Sequence, residues 1–317
     1  MPSSHPSVAT LSASVVICAY TEDRWDDLAA AVRSVATQDP RPVEVIVVSD
    51  HNARLLDRIR RELPDVVAVP NDEQRGLSGA RNSGVAVACG DVVAFLDDDA
   101  EASPGWLAQL LAAYRDPRIA GVGGAVEPRW PAQRPSTFPL EFDWVVGCSY
   151  RGLPSGPAVV RNVIGANMSF RRDVFEQVGR FRSEIGRVGK RPVGCEETEL
   201  CIRVRQWRPD AVIVFEPRAR VAHRIAPERT RWRYFRARCY GEGVSKAIVA
   251  KHVGADDALS AERSYATRTL PRGIVAGVVD TLHGDLAGAA RAAGIVIGLA
   301  ITVAGYMVGS ASARHSA

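Results

Sequence analysis

The chain has 317 residues, 46% of them hydrophobic, with 40 Lys and Arg against 36 Asp and Glu for a net charge of +4. That is ample for one large α/β domain plus an appendage; no internal repeat or low-complexity tract interrupts it, and the net charge by itself selects no partner. The six cysteines (18, 89, 148, 195, 201 and 239) show no paired spacing and no secretory signal precedes Val15, which excludes a disulfide framework and makes reduced cytosolic thiols the expectation.

Residues 15–20 (VVICAY), 44–50 (EVIVVSD) and 66–69 (VVAV) are short β-rich runs separated by helix-like segments. The first predicted helix, Asp26 to Gln38, spaces Leu28, Val32 and Val35 along one face, and the second does the same with Leu55, Leu56, Ile59 and Leu63. Continuous apolar strands alternating with amphipathic helices imply a parallel sheet covered on both sides, whose ligands gather at the carboxyl ends of the strands. Tyr20, Glu22 and Asp50 fall at such ends. Strand one carries no GxGxxG and the chain no GxxxxGK[ST], which disfavours a dinucleotide-binding dehydrogenase and a P-loop enzyme.

The run VVAFLDDD, residues 92–99, ends a fourth strand in three adjacent carboxylates. Burying such charges is costly, so an open strand end is expected. Asp97 and Asp99 project to one side of an extended chain, where they suit one hard divalent cation; a polar turn with Asp99 as helix cap is the alternative. The segment from Arg180 to Gly194 holds Gly186, Gly189 and Gly194 with Arg182, Arg187, Lys190 and Arg191, the composition of a loop that closes over phosphate or of a solvated surface loop.

In VGCEETELCIRVRQW, Leu200, Ile202, Val204 and Trp207 suggest a helix with Glu196 and Glu197 in its first turn. Helix-dipole compensation accounts for such acids as well as chemistry does. His223 follows the predicted strand VIVF, where a lone histidine reads as a packed or surface residue. Residues 217–251 hold ten Lys or Arg against Glu228 and Glu242, interleaved with Trp232, Tyr234, Phe235 and Tyr240. This pattern fits a lipid headgroup layer or a diphosphate better than nucleic acid, since no RNA module accompanies it. Residues 292–313 are uncharged and long enough for one bilayer span, while Gly294 and Gly298 also suit close helix packing, within the membrane or in a homodimer.

Five blocks, ICAYTEDRW, VIVVSDHN, RGLSGARNSGVAVACGDVVAFLDDDAEASPGWL, GANMSFRRDVFEQVGRF and GCEETELCIRVR, resemble in order and spacing the family 2 glycosyltransferases, over roughly residues 12–240. The resemblance implies the GT-A fold, a Rossmann-like mostly parallel sheet flanked by helices, with a nucleotide-diphosphosugar donor, a Mn2+ or Mg2+ ion and inversion at the sugar carbon. It places Ala19, Tyr20 and Glu22 around the nucleobase, Asp50 on the base edge, and Arg81 over the nucleotide. Ser49 stands where the family usually has the first acid of a pair with Asp50. Asp97, Asp98 and Asp99 match the family's DxD, with Asp99 as direct metal ligand, Asp97 on ribose or a metal-bound water, and His223 as a late metal ligand. Gly165, Ala166 and Asn167 align with the acceptor side. Glu197 aligns with the acid that takes the acceptor's proton and Glu196 with the acid before it; Glu replaces the usual Asp, which leaves open which of the two is the base.

The resulting expectation is an inverting enzyme that moves a sugar from a UDP-type donor to a hydroxyl of a lipid-linked or polysaccharide precursor on the cytoplasmic face of the membrane. The expected division is a catalytic domain over residues 1–250, its donor half at about 12–125 and its acceptor half at about 126–250, and a helical tail over 251–317. A nucleotidyltransferase and a non-catalytic membrane-tethered sugar-nucleotide binder are the alternatives.

Overall fold

The structure, a computed structural model, describes residues 11–187 and 194–315. The first half alternates as expected: β1 (Ala13–Ala19), α1 (Trp25–Ala36), β2 (Glu44–Ser49), α2 (Ala53–Glu62), β3 (Val67–Pro70), α3 (Leu77–Val87) and β4 (Val92–Asp97). Then follow β5 (Ala100–Ala102), α4 (Trp106–Ala113), β6 (Ile119–Arg129), β7 (Ala158–Val160), β8 (Asn167–Arg171), α5 (Arg172–Val178), α6 (Glu196–Trp207) and β9 (Val212–Arg224). The chain closes with α7 (Trp232–Val253), α8 (Ala255–Ala258), α9 (Ser260–Ser264), a π-helical turn at Tyr265–Thr269, α10 (Leu270–Leu282) and α11 (Ala287–His315).

One sheet runs in the order β3-β2-β1-β4-β8-β6-β9-β5, with β7 also on β9. The β3-β2-β1-β4 half is parallel, as the pattern of alternating elements requires. Beyond it the expected mostly parallel sheet becomes mixed, because β8 enters antiparallel between β4 and β6, and β5 and β7 pair antiparallel with β9.

Alternation along each strand feeds two core layers. Val15, Ile17, Val45, Val47 and Leu96 meet α1, α2 and α4 on one face, whereas Val16, Ile46, Val48 and Phe95 meet α3, α5 and α6 on the other. Both faces being covered is why these strands read as continuous apolar runs. On α3, a Cβ at Gly84 would lie 2.5 Å from Val16 Cγ1, so glycine lets the helix approach the sheet and carry Arg81 inward.

The expected boundary at residue 250 falls inside α7, and the tail is packed into the domain. Ile295 of α11 and Leu270 of α10 are fully buried in the same core layer as Phe142 and Phe235. A Cβ at Gly298 would lie 2.5 Å from Phe142, and one at Gly243 of α7 would lie 2.6 Å from the Tyr306 nitrogen. The small residues that suggested close helix packing therefore serve a contact within the chain. Among the described residues one helix is long and apolar enough to cross a bilayer, Ala287–Ala311, with a mean hydropathy of 2.0.

Deletion from Gly284 onward is consequently expected to uncover Phe142, Phe235 and the glycine-bearing face of α7. The melting temperature should fall by on the order of 10 °C, because several apolar side chains lose their partners. A truncated protein that melts like the full chain would return the tail to the role of a separable anchor.

Candidate active site

The parallel strands end level with one another. Cys18 pairs with Asp97 and Ala19 with Ser49, so Tyr20, Asp50 and the acidic run share the carboxyl edge of the sheet. Asp50 accepts hydrogen bonds from Asn71 Nδ2 (2.6 Å) and from the Gly76 amide, and so fastens the loop that leads into α3. Tyr20 is 41% exposed, and Glu22 is exposed on the short turn after β1.

The acidic run departs from the open strand end that its charge suggested. Asp97 is half-buried, but Asp98 and Asp99 are 4% and 6% exposed. Compensation makes this burial tolerable: Arg24 lies 3.0 Å from Asp98 and 2.8 Å from Asp99, and Arg229 lies 3.4 Å from Asp99. Burial raises the Asp98 carboxyl well above the usual range despite Arg24. Burial alone would raise Asp99 too, yet His223, Arg229 and Arg24 outweigh it and hold that carboxyl well below the usual range.

His223 is reached by strand pairing. It does not follow β9 but lies within it, because the strand continues past VIVF; a register shift against β6, between Gly124–Glu216 and Ala125–Arg220, bends it there. The last part of β9 then pairs with β5, setting His223 opposite Ala100 and its Nε2 3.0 Å from Asp99 Oδ1. One ligand atom from each of Asp97, Asp99 and His223 lies within 4.8 Å of the others. Two carboxylates and an imidazole form a donor set that fits Mn2+, or Mg2+ with water completing its shell.

Arg81 is 2% exposed, so it is not a solvated residue at the start of a surface helix. Its guanidinium donates to Glu196 Oε1 (2.5 Å) and to the Gly165 carbonyl (3.1 Å) and lies 3.6 Å from Asp97. It thereby joins the strand-end acids to the first turn of α6. That turn begins at Cys195, a non-glycine residue at φ 75°, which aims Glu196 inward and leaves Glu197 half-buried at the cavity wall. Burial, and then the neighbouring Glu196, push the Glu197 carboxyl up to about 8.

A cavity of about 480 Å³ has Asp97, His223, Arg81, Glu196 and Glu197 on its walls. Gly165 and Ala166 line it as well, whereas the amide of Asn167 is used inside the fold. It accepts from Trp106 Nε1 (2.8 Å) and donates to the Ala125 and Ala219 carbonyls (both 2.9 Å). Of the glycine-rich segment, Arg182 pairs with Glu199 and Arg187 reaches the cavity, while Gly189, Lys190 and Arg191 lie outside the described residues. Sequence reasoning missed Arg24 and Asn71, which carry no motif of their own. Arg229 was visible only as one member of the basic stretch.

Residues 14–179 match the family model "Glycosyl transferase family 2". The glucosyl-dolichyl phosphate glucuronosyltransferase of Haloferax volcanii is 39% identical over 243 residues, which cover 75% of this chain and 77% of that protein. Two solved structures share the fold. One is the mannosyltransferase PcManGT from Pyrobaculum calidifontis in complex with GDP-Man and Mn2+ (TM-score 0.56, 16% identity, 93% of this chain and 88% of that one). The other is GalNAc-T7 with UDP, GalNAc and Mn2+ (TM-score 0.53, 20% identity, 75% of this chain and 48% of that one). A family model spanning more than half of the sequence, a relative aligned over three quarters of it and a shared GT-A architecture converge: the chain belongs to glycosyl transferase family 2 and is a glycosyltransferase.

Proposed function

We propose that this glycosyltransferase is a metal-dependent, inverting enzyme that moves a sugar from a UDP-type nucleotide donor to a hydroxyl of a lipid-linked acceptor at the cytoplasmic face of a membrane. The observation that carries the reading is that the Asp97, Asp99 and His223 group and the raised carboxyl of Glu197 belong to one cavity or its immediate wall. The archaeal relative, named for a glucosyl-dolichyl phosphate substrate, supports the acceptor class, and α11 with the basic-aromatic α7 supports the membrane setting. The outward apolar side of α11 is assigned to lipid in preference to a second copy of the chain. The catalytic unit is taken as residues 1–250, braced by the tail.

Asp97, Asp99 and His223 would hold Mn2+ or Mg2+, which when bound stabilises the negative charge that grows on the departing diphosphate. Ala19, Tyr20, Glu22 and Asp50 receive the nucleoside end of the donor, and Asp98 stays paired with Arg24. Glu197 takes the proton from the acceptor hydroxyl as that oxygen attacks the anomeric carbon opposite the leaving group. One displacement inverts the carbon, so no second, nucleophilic carboxylate is needed. Glu196, neutralised by Arg81, fixes the turn from which Glu197 projects.

The test is a panel of UDP-, GDP- and dTDP-sugars scored for thermal stabilisation with Mn2+, with Mg2+ and with chelator. A UDP-sugar should stabilise only with metal present. Stabilisation by none of them, or equally in chelator, would sink the donor reading.

A further inference from the structure

α11 shows different sides to three surroundings. Gly298 and Gly305 turn toward Phe142 and α7, whereas Leu299, Thr302, Val303 and Tyr306 line the catalytic cavity. Those four positions, spaced at three and four residues, form one stripe of a helix. Val296, Ile297, Met307 and Val308 form the next stripe, and they are 42% to 66% exposed. Val303 belongs to both: it lines the cavity and is itself 48% exposed. The cavity wall and the outward apolar surface therefore meet at this one side chain. Ala261 and Arg263 of α9, which also line the cavity, are exposed as well.

The inner part of this arm of the cavity is apolar and aromatic, with Tyr265 and Leu270 joining Leu299. Over the whole described lining seven Arg or Lys side chains face five Asp or Glu: Arg81 and Arg229 pair with the strand-end acids, and Arg161 and Lys246 pair with Glu262 of α9. Arg187 sits among them, and burial together with the like charges of Arg238 and Arg229 lowers its pKa, so an anion placed there gains. A site with an excess of cations, an aromatic and apolar wall and an opening beside an apolar helix face matches an amphiphile with an anionic head.

Resting on the lipid-linked acceptor of the preceding reading, we propose that the acceptor enters the cavity sideways from the bilayer past Val303, its phosphate among the cavity's arginines and its hydrocarbon chain running out between α9 and α11. The occupant is a phosphate-bearing lipid. Met307, 66% exposed on the outward stripe and absent from the cavity lining, lies off this route.

The experiment measures binding of dolichyl phosphate and of hexyl phosphate to the full-length protein in lipid nanodiscs by native mass spectrometry. Wild-type protein should prefer dolichyl phosphate by about 10-fold or more, because a chain held in the apolar arm adds burial. Val303→Trp should abolish that preference, and Met307→Trp should keep it. The metal-dependent thermal shift with UDP should be unchanged in both variants, which shows that they fold. Absence of the chain preference in the wild type, which needs no variant, overturns the proposal, as does equal weakening by both substitutions or none by Val303→Trp. A wild type without the UDP shift but with the selective lipid preference would instead overturn the donor reading and leave the side opening standing.

Discussion

Glu197→Gln is expected to keep donor binding and lose transfer. The amide preserves the shape of the side chain but accepts no proton, so kcat should fall by roughly 10²–10⁴. The wild-type rate should rise with pH up to about 8 and then level, since the proposed base works only when ionised and burial with Glu196 raises its carboxyl to that value. The residual activity of the variant should lack this limb. Stability should move the other way. A carboxyl raised from 4.5 to about 8 keeps a proton in the folded state that the unfolded chain has lost, so the wild type loses stability as pH rises through that window. Glu197→Gln should therefore melt higher than wild type at pH 8 and above in the absence of donor and metal, with the gain gone near pH 4. If Glu196→Gln is the inactive variant and Glu197→Gln turns over normally, the base has been assigned one residue too late.

Asp99→Asn should abolish metal-dependent nucleotide binding and lower transfer by about 10² or more, because an amide is a far poorer ligand for a hard cation than a carboxylate. The same change removes the charge that faces His223, Arg24 and Arg229. Breaking a buried pair of this kind costs roughly 3–5 kcal/mol, so a lower melting temperature should accompany the loss. Asp98→Asn is the comparison: its carboxylate faces Arg24 and is not one of the three ligand groups, so the metal-dependent shift should survive. An Asp99→Asn enzyme with unchanged Mn2+-dependent turnover would remove Asp99 from the metal site.

The sequence by itself determined the features that are local. Continuous apolar runs and the helical spacing of Leu28, Val32 and Val35 specify the β-α-β-α-β half, and the position of Asp97 at the end of VVAFLD specifies which edge carries the acids. Glu196 and Glu197 fall in the first turn of α6 as their spacing from Leu200 and Val204 requires. Family spacing added expectations for residues on which no local pattern bears.

Tertiary structure decided what depends on residues far apart in the chain. Asp98 and Asp99 are buried because Arg24 and Arg229, from other segments, neutralise them; a cost computed from the acids alone comes out wrong when the compensating charges are distant. His223 became a neighbour of Asp99 through the pairing of β9 with β5, two strands that share no motif. Arg81, which reads as an exposed helical arginine, is buried between Asp97 and Glu196 because Gly84 brings α3 onto the sheet. The uncharged stretch of α11 reads the same whether it leaves the domain or covers it. Only the fold puts Gly298 on Phe142 and Val303 at the cavity wall, because helix periodicity defines faces and packing alone assigns each face its partner.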